Sequence, residues 1–237
     1  HCDAWSNKVR RSILFDAKAD VLVYGMGESS VVALAQKRRE GAPITGIRGI
    51  CCISRDIPTP DSQFPSPDLV LPPHHDVSKD RNQFSRMFKV FYENADPITG
   101  KRLYQKQDTR YLVQNPPALP LPPKALDRIY ELPYARDIHP FYGKKGKVLA
   151  LDTIRFSLTT HRGCYGECRF CAITVHQGRH VSSRSEASIL REARGFLKHP
   201  RFKGIISNVG GATANMYGIE CGLKKKQGAC KDKGCLF

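Results

Sequence analysis

The chain has 237 residues, 41% of them hydrophobic, which is an ordinary composition for a globular protein with a packed core. The formal net charge is +16, which fits a partner with phosphate or carboxylate groups, although Lys and Arg are spread along the chain rather than collected on one helix. No apolar run approaches the roughly 18 residues that cross a bilayer, and no secretory leader is recognisable. We therefore expect a cytoplasmic protein without a membrane span, whose nine cysteines serve metal binding or catalysis rather than disulfides.

The first part of the chain, over 1–56, predicts an α/β domain. Residues 21–24 have the apolar composition of a short buried strand, and the segment after them predicts a tight turn, with Gly25 and Gly27, followed by an amphipathic helix. Because no third glycine follows at the spacing of a dinucleotide fingerprint, we interpret this turn as a structural one. Residues 44–53 predict the next strand.

Residues 57–147 predict a proline-rich connector that contains helices. Prolines recur between positions 57 and 73, which prevents a regular element from persisting there. One helix is expected over 76–95 and another over 123–132, the latter with proline in its first turn, where no amide donor is lost. The first of these helices carries apolar side chains at helical spacing that we expect to face the core. These side chains are Phe84, Met87, Phe88, Phe91 and Tyr92.

Residues 148–237 predict the start of a repeating strand–helix pattern. Alternating apolar side chains over 154–158 predict a strand that leads into a cysteine-rich loop. An amphipathic helix is expected over 185–199, and the next strand over 204–209. Together these elements make one βαβ unit.

Three cysteines at short spacing are the most informative feature of the chain. Cys164 and Cys168 are separated by three residues, and Cys168 and Cys171 by two. Thiolates at this spacing can wrap three corners of one cubane [4Fe–4S] cluster, and no fourth cysteine follows at the short spacing of an electron-transfer ferredoxin. The fourth iron would be an open, Lewis-acidic position that can take the amino and carboxylate groups of an amino-acid-like ligand. The spacing therefore favours chemistry over electron storage.

Zinc is the main alternative occupant of this loop. Structural zinc takes four ligands, commonly from paired CxxC motifs, and only Cys168 and Cys171 make such a pair here. His161 or His176 would have to complete the tetrahedron. A thioredoxin-like redox pair is a weaker alternative, because Cys168 does not open a helix after the pattern of that fold.

The sequence around the three cysteines resembles a known superfamily. The pattern Cys-x3-Cys-x-aromatic-Cys, with Phe170 before the last cysteine, is similar to the signature of radical SAM proteins. Residues 161–179 resemble most closely the YgiQ family of bacterial radical SAM proteins. The resemblance to this family extends to the segments at 5–13, 17–20, 210–217 and 228–237. It therefore covers nearly the whole chain.

This resemblance implies an α/β fold with a partial radical SAM (β/α) barrel, preceded by the end of a Rossmann-like (cobalamin-binding-like) domain. It implies an enzyme that holds a [4Fe–4S] cluster on Cys164, Cys168 and Cys171. The enzyme would cleave S-adenosylmethionine reductively to a 5′-deoxyadenosyl radical that acts on an unknown substrate. An electron donor such as flavodoxin or ferredoxin is the implied partner. The Asp-x-His-x-x-Gly motif is absent from this stretch, so cobalamin itself is not expected.

The resemblance also assigns residues that bind S-adenosylmethionine. The backbone of Phe170 would lie against the adenine, and Gly210 and Gly211 look like the glycine pair that meets the methionine amino group. Ala212 follows them where the superfamily commonly has an acidic residue, which is a departure from its pattern. No general acid or base can be singled out.

Two alternatives to an active enzyme stay open. The net charge and the lysine-rich tail, with Cys221, Cys230 and Cys235, also fit an iron–sulfur or zinc module that binds nucleic acid. His1 is not a methionine, and only the start of a barrel follows residue 152. An inactive truncated relative is therefore the second alternative.

Overall fold

The computed structural model describes residues 2–59, 63–65, 67–212, 215–230 and 235. These residues form a mixed α/β structure, which confirms the predicted fold class at that level, and their strands form no closed barrel. The chain divides into two compact units. The first unit is His1–Leu119 with Val175–Gly178 and Leu223–Asp232, and the second is Pro120–Thr174 with Arg179–Gly222 and Lys233–Phe237. The domain boundaries expected after residues 56 and 147 stay predictions. Two of the segments that resemble the YgiQ family, 210–217 and 228–237, include residues outside the described ranges.

The secondary structure consists of short strands and helices. The strands are β1 (Cys2–Asp3), β2 (Lys8–Val9), β3 (Val21–Val23), β4 (Ile50–Ser54), β5 (Leu69–Leu71), β6 (Leu103–Gln107), β7 (Arg110–Gln114), β8 (Ser157–Thr159), β9 (His161–Arg162), β10 (Ser182–Ser183) and β11 (Asn208–Gly210). The helices are α1 (Ile13–Asp16), α2 (Glu28–Arg39), α3 (His74–Lys79), α4 (Arg81–Glu93), α5 (Pro123–Tyr130), α6 (Leu149–Ile154), α7 (Ile173–Gln177), α8 (Glu186–Phe196) and α9 (Gly222–Gln227), with a 3-10 turn over Pro140–Tyr142. Of the helices described, none has the length and apolar character needed to span a membrane.

A five-stranded sheet in the order β3-β4-β7-β6-β5 forms the centre of the first unit. Neighbouring strands are antiparallel except β5 and β6, which run parallel. The predicted strand, turn and helix are present as β3 and α2. However, β4 returns antiparallel to β3, whereas a Rossmann-like crossover places its two strands parallel. The prediction of a Rossmann-like end is therefore wrong for this strand pair.

The predicted connector contributes part of this sheet. β5 lies within the proline-rich stretch, and β6 and β7 form a hairpin inside the predicted connector. The hairpin turns at Asp108, whose φ of +58° is a left-handed conformation that Asp tolerates better than most residues. Tyr104 and Val113 of this hairpin pack with Cys52 of β4 in a buried cluster. The buried residues of β6 and β7 thus contribute to the core of the first unit.

The helix expected over 76–95 is two helices. Asp80 between α3 and α4 is extended, and its carboxylate accepts a hydrogen bond from the Asn82 amide at 2.7 Å, which caps α4. The expectation that the apolar stripe of α4 faces the core holds only in part. Met87 is half-buried and accepts a hydrogen bond from Gln105 of β6 at 3.2 Å, but no residue of α4 is fully buried and Phe88 is 49% exposed. The rings of the stripe contact one another instead.

The second unit contains the strand–helix–strand unit that the sequence predicts. β8 and β11 pair in parallel, with Thr159 opposite Gly210, and α8 lies between them in the chain. Ser185 caps α8 by accepting a hydrogen bond from the Ser188 amide at 3.1 Å. The first strand is shorter than predicted, because 149–154 form α6 and only 157–159 pair as β8.

Candidate functional site

The cysteine loop follows directly on β9, which pairs antiparallel with β10. Gly163 makes the turn out of β9 with a φ of +87°, and a Cβ there would stand 1.9 Å from the carbonyl oxygen of His180. Only glycine fits this position. Further along the loop, Glu167 also has a positive φ, of +43°, and pairs with Arg179 at 2.9 Å. These contacts fix the path of the loop around its first two cysteines.

The first two predicted ligands face the same small space. The Sγ atoms of Cys164 and Cys168 lie 3.3 and 3.4 Å from the point where a Cβ on Gly166 would stand. The Gly166 amide donates a hydrogen bond to the Cys164 sulfur at 3.3 Å. Cys164 is buried, whereas Cys168 is exposed. The loop thus brings a buried and an accessible sulfur together around a residue that has no side chain.

The third predicted ligand, Cys171, is half-buried and lies one turn beyond Cys168. Its amide donates a hydrogen bond to the Cys168 carbonyl oxygen at 3.0 Å. In the part of the chain that the structure describes, no three His, Cys, Asp or Glu side chains are grouped so as to hold one metal ion. The metal assignment of the three cysteines therefore stays a prediction. Phe170 is 93% exposed, and the contact of its backbone with adenine likewise stays a prediction.

Gly210 and Gly211 lie at the end of β11, beside the strand that leads into the cysteine loop. The Gly210 carbonyl oxygen accepts a hydrogen bond from the Thr160 amide at 2.9 Å. A Cβ on Gly211 would stand 2.3 Å from Nε2 of His161, so the glycine lies directly against that ring. A Cβ on Gly210 would meet no described atom within 4 Å. The glycine pair is thus next to the cysteine loop, while its contact with S-adenosylmethionine remains predicted.

His161, a candidate zinc ligand by sequence, has other partners in the structure. Its side chain is buried, with a residue exposure of 1%. Nδ1 lies 2.9 Å from the Thr160 hydroxyl, and Nε2 accepts a hydrogen bond from the Met216 amide at 3.3 Å. Since both ring nitrogens are engaged within the protein, His161 does not complete a zinc site with Cys168 and Cys171 in this arrangement.

Tyr165 and Met216 connect the segment after β11 to the cysteine loop, and the sequence did not single them out. The Met216 sulfur accepts a hydrogen bond from the Tyr165 amide at 3.4 Å. Both side chains share a small buried cluster with Cys164 and Val181. The Tyr165 hydroxyl donates to the carbonyl oxygen of Ile219 at 2.9 Å. The available signal was an aromatic ring placed directly after the first cysteine of the loop.

A buried charge network supports the end of β8, from which the loop emerges. The Arg184 side chain is 0% exposed, donates to the Thr159 carbonyl oxygen at 2.9 Å and pairs with Glu192. Glu192 also pairs with Arg136. The Arg184 guanidinium lies 4.4 Å from the centroid of the Tyr130 ring, a cation–π contact. The network holds the last carbonyl of β8 in place.

The remaining cysteines have different surroundings. Cys51 and Cys52 are buried in β4, where burial, and secondarily the neighbouring Cys52, raises the pKa of Cys51 to about 12. The Cys221 amide donates a hydrogen bond to the Tyr165 hydroxyl at 3.3 Å, and the Cys221 side chain is half-buried. A second metal site formed with Cys230 and Cys235 stays a prediction.

A comparison with protein families gives one match. A family model described as Radical SAM N-terminal matches residues 1–157. The matched region ends before Cys164 and therefore does not include the cysteine loop.

Curated proteins similar to the chain are UPF0313 proteins. One from Fusobacterium nucleatum is 51% identical over 237 residues, one from Methanocella arvoryzae is 49% identical over 240, and one from Thermotoga maritima is 46% identical over 237. Each match covers 100% of this chain, but 40%, 39% and 41% of the respective relatives. The chain therefore spans about 40% of the length of these relatives. No solved structure matches it significantly.

Proposed function

The chain belongs to the radical SAM N-terminal family, and on that basis we propose that the protein is a radical SAM enzyme. As the resemblance to the YgiQ family implies, it holds a [4Fe–4S] cluster, binds S-adenosylmethionine and acts on a substrate that is not identified. The observation that carries the proposal is the loop in which Cys164 and Cys168 face one space at Gly166. Because the chain spans about 40% of its relatives' length, the activity is proposed for the whole protein.

The loop supplies three thiols, the donor number of a cubane cluster with one open iron, although the described side chains are not grouped around a single metal ion. Three thiols at this spacing are the donor set of such a cluster, and zinc would need a fourth ligand, which His161 in its present contacts does not supply. Gly166 leaves room between the first two sulfurs, and its amide hydrogen bond to the Cys164 sulfur is the kind of outer contact that tunes a cluster ligand. The exposure of Cys168 keeps one side of the loop open for cluster assembly.

Once bound, the cluster would supply one electron to the sulfonium of S-adenosylmethionine, whose C5′–S bond would then break to give methionine and a 5′-deoxyadenosyl radical. The protein's own residues bind and orient these cofactors and shield the Cys164 sulfur from water. Tyr165, Val181 and Met216 pack around Cys164 and exclude water from that sulfur. Among the described residues, none fills the space where a side chain on Gly210 would stand, which lets a ligand approach the end of β11 closely. A flavodoxin or ferredoxin is the proposed electron donor.

The test is cleavage of S-adenosylmethionine by the full-length protein after anaerobic cluster reconstitution. Cys164→Ala, Cys168→Ala and Cys171→Ala are each expected to lower bound iron and to abolish formation of 5′-deoxyadenosine. Cys2→Ala, which removes an exposed thiol outside the loop, is the matched control and is expected to retain both. A Cys164→Ala protein with wild-type iron content and wild-type cleavage would overturn the proposal.

A nucleic-acid-binding module is the second candidate, and the net charge of +16 favours it. Lys225 and Lys226 are exposed on α9 and add local positive charge. Binding through phosphate contacts weakens steeply as salt rises, because it releases counterions. Binding of the full-length protein to RNA and DNA that is absent, or that does not depend on salt, removes this candidate.

A further inference from the structure

We propose that His161 is a positioning residue that holds the cysteine loop and the Gly210–Gly211 turn in one fixed arrangement, and thereby sets the affinity for S-adenosylmethionine. The choice of ligand rests on the proposed function. The contacts that carry the inference are made by this chain's own residues in the second unit.

Hydrogen bonds to neighbouring strands hold the backbone next to His161 in place. The Thr160 amide donates to the Gly210 carbonyl oxygen at 2.9 Å, and the Thr160 carbonyl oxygen accepts from the Arg184 amide at 2.9 Å. His161 itself stands opposite Ser183 in the pairing of β9 with β10. The ring therefore projects from a strand held on both sides, at the point where the chain leaves β8 for the cysteine loop.

The ring nitrogens then fix the direction in which the side chain points. Nε2 accepts a hydrogen bond from the Met216 amide at 3.3 Å, so that nitrogen carries no proton. Nδ1 is then the protonated nitrogen of the neutral imidazole, and it donates to the Thr160 hydroxyl at 2.9 Å. An apolar side chain of similar size would fill the same space but would leave the Met216 amide without this acceptor.

Gly211 lies against the face of this ring. A Cβ on Gly211 would stand 2.3 Å from Nε2, 2.5 Å from Cε1 and 2.7 Å from Cδ2 of His161. The close approach of the backbone is possible only because residue 211 has no side chain and the ring keeps its place. The position of the glycine turn is therefore set by the imidazole.

Met216 links His161 to the cysteine loop through two hydrogen bonds. Its amide is held by His161, and its sulfur accepts the Tyr165 amide at 3.4 Å, one residue after Cys164. Met216, Tyr165 and Cys164 also pack in one buried cluster. His161 thus contacts the turn after β11 directly and reaches the first predicted cluster ligand through one intermediate residue.

The test compares His161→Ala, His161→Gln and Gly211→Ala in the full-length protein, with Gly195→Ala as the control. A Cβ on Gly195 in α8 would meet no described atom within 4 Å. Affinity is measured by titrating S-adenosylmethionine into the reduced, reconstituted protein and following its electron paramagnetic resonance signal. Hydrogen exchange at the Met216 and Tyr165 amides is measured in parallel, without any cofactor.

We expect His161→Ala to bind S-adenosylmethionine about tenfold more weakly with its iron content kept, because the Met216 amide loses its acceptor and the glycine turn loses its support. Exchange at the Met216 amide should accelerate. His161→Gln, whose amide oxygen can accept from Met216, should restore most of the affinity. Gly211→Ala should weaken binding like His161→Ala, and Gly195→Ala should not.

Unchanged affinity in both His161→Ala and Gly211→Ala, with a wild-type protein that binds the ligand, overturns this inference alone. Should His161→Ala fail to fold, His161→Gln and Gly211→Ala decide the question in the same way. A wild-type protein that forms no cluster, or whose signal ignores the ligand, overturns the proposed function instead. In that case the exchange rate of the Met216 amide still decides whether His161 holds the loop.

Discussion

The carbonyl oxygen of His180 occupies the space in which any side chain on Gly163 would begin. A Cβ on Gly163 would stand 1.9 Å from that oxygen, and the φ of +87° at this residue disfavours every other amino acid. We expect Gly163→Ala to lower the free energy of unfolding by at least about 2 kcal/mol, because the backbone of the loop must move. The bound iron of the full-length protein should fall as well.

Thermal unfolding and iron content check this prediction, with Gly195→Ala as the control. Gly195 lies inside α8 with open space around it, so alanine there should be neutral or stabilising by about 0.5–1 kcal/mol. Equal stability of Gly163→Ala and the wild type would mean that the described path of the loop is incorrect.

The buried pair of Arg184 and Glu192 gives a prediction on stability. Glu192 neutralises both Arg184 and Arg136, whose side chains are 0% and 19% exposed. Removing the carboxylate with Glu192→Ala leaves two guanidinium groups without their counter-charge. We expect a loss of about 3–5 kcal/mol in the free energy of unfolding, measured by denaturant titration.

An exposed ion pair in the same unit is the control for that prediction. Arg191 and Glu131 pair with side-chain exposures of 56% and 37%, where water screens their attraction. Glu131→Ala should therefore cost much less stability than Glu192→Ala. A Glu192→Ala protein no less stable than Glu131→Ala would contradict the proposed support of β8.

Asp96 in the first unit gives a prediction on local dynamics. Its carboxylate accepts hydrogen bonds from the Ile98 amide at 2.8 Å, the Thr99 amide at 3.1 Å and, across 133 residues of sequence, the Ala229 amide at 2.8 Å. Asp96→Ala should lower the free energy of unfolding by about 1–3 kcal/mol, because buried donors lose their acceptor. Hydrogen exchange at the Ala229 amide should accelerate. Asp80→Ala, which removes the cap of α4, should leave that amide unchanged.

The buried thiol of Cys51 predicts how stability depends on alkaline pH. Burial raises the pKa of Cys51 from 9.0 to about 12, so the unfolded chain releases this proton at lower pH than the folded chain. The contribution of Cys51 is fully present below about pH 9 and is lost as the pH rises to about 12. The free energy of unfolding should fall over this range by up to about 1.4 kcal/mol per pH unit for this group.

Urea titrations at several pH values between these limits measure that slope. Cys51→Val removes the titrating group, so its slope should be shallower than the wild-type slope. Cys2→Ser changes an exposed thiol and should leave the slope as it is. Identical slopes in the wild type and Cys51→Val would show that Cys51 does not titrate differently in the folded state.

Local pattern predicted the elements whose partners are close in the chain. The apolar face of α8 located that helix, and the parallel pairing of β8 with β11 followed from one helix between two strands. The same reasoning failed at Asp80, because a capping side chain can interrupt a helix without changing its apolar period. It also missed β6 and β7, since short strands paired inside a sheet carry a weak periodic signal.

The sequence identified the cysteines of the candidate site but not the residues that hold their loop in place. The spacing of Cys164, Cys168 and Cys171 marks a loop for a metal or cluster regardless of the surrounding fold. The contacts of His161 and Met216 join residues 55 positions apart, so no local pattern contains them. The sequence offered His161 or His176 as the fourth ligand of the zinc alternative, whereas tertiary contacts engage both ring nitrogens of His161.

The sharpest experiment is electron paramagnetic resonance of the reduced, anaerobically reconstituted full-length protein, recorded with and without S-adenosylmethionine. A radical SAM enzyme with three cysteine ligands should give a [4Fe–4S]⁺ signal that depends on Cys164, Cys168 and Cys171. The signal should shift when S-adenosylmethionine is added, because one iron has no protein ligand. A protein that assembles no cluster, or that copurifies with zinc in this loop, would contradict the proposed function. A cluster signal that stays the same on addition of S-adenosylmethionine would contradict it equally.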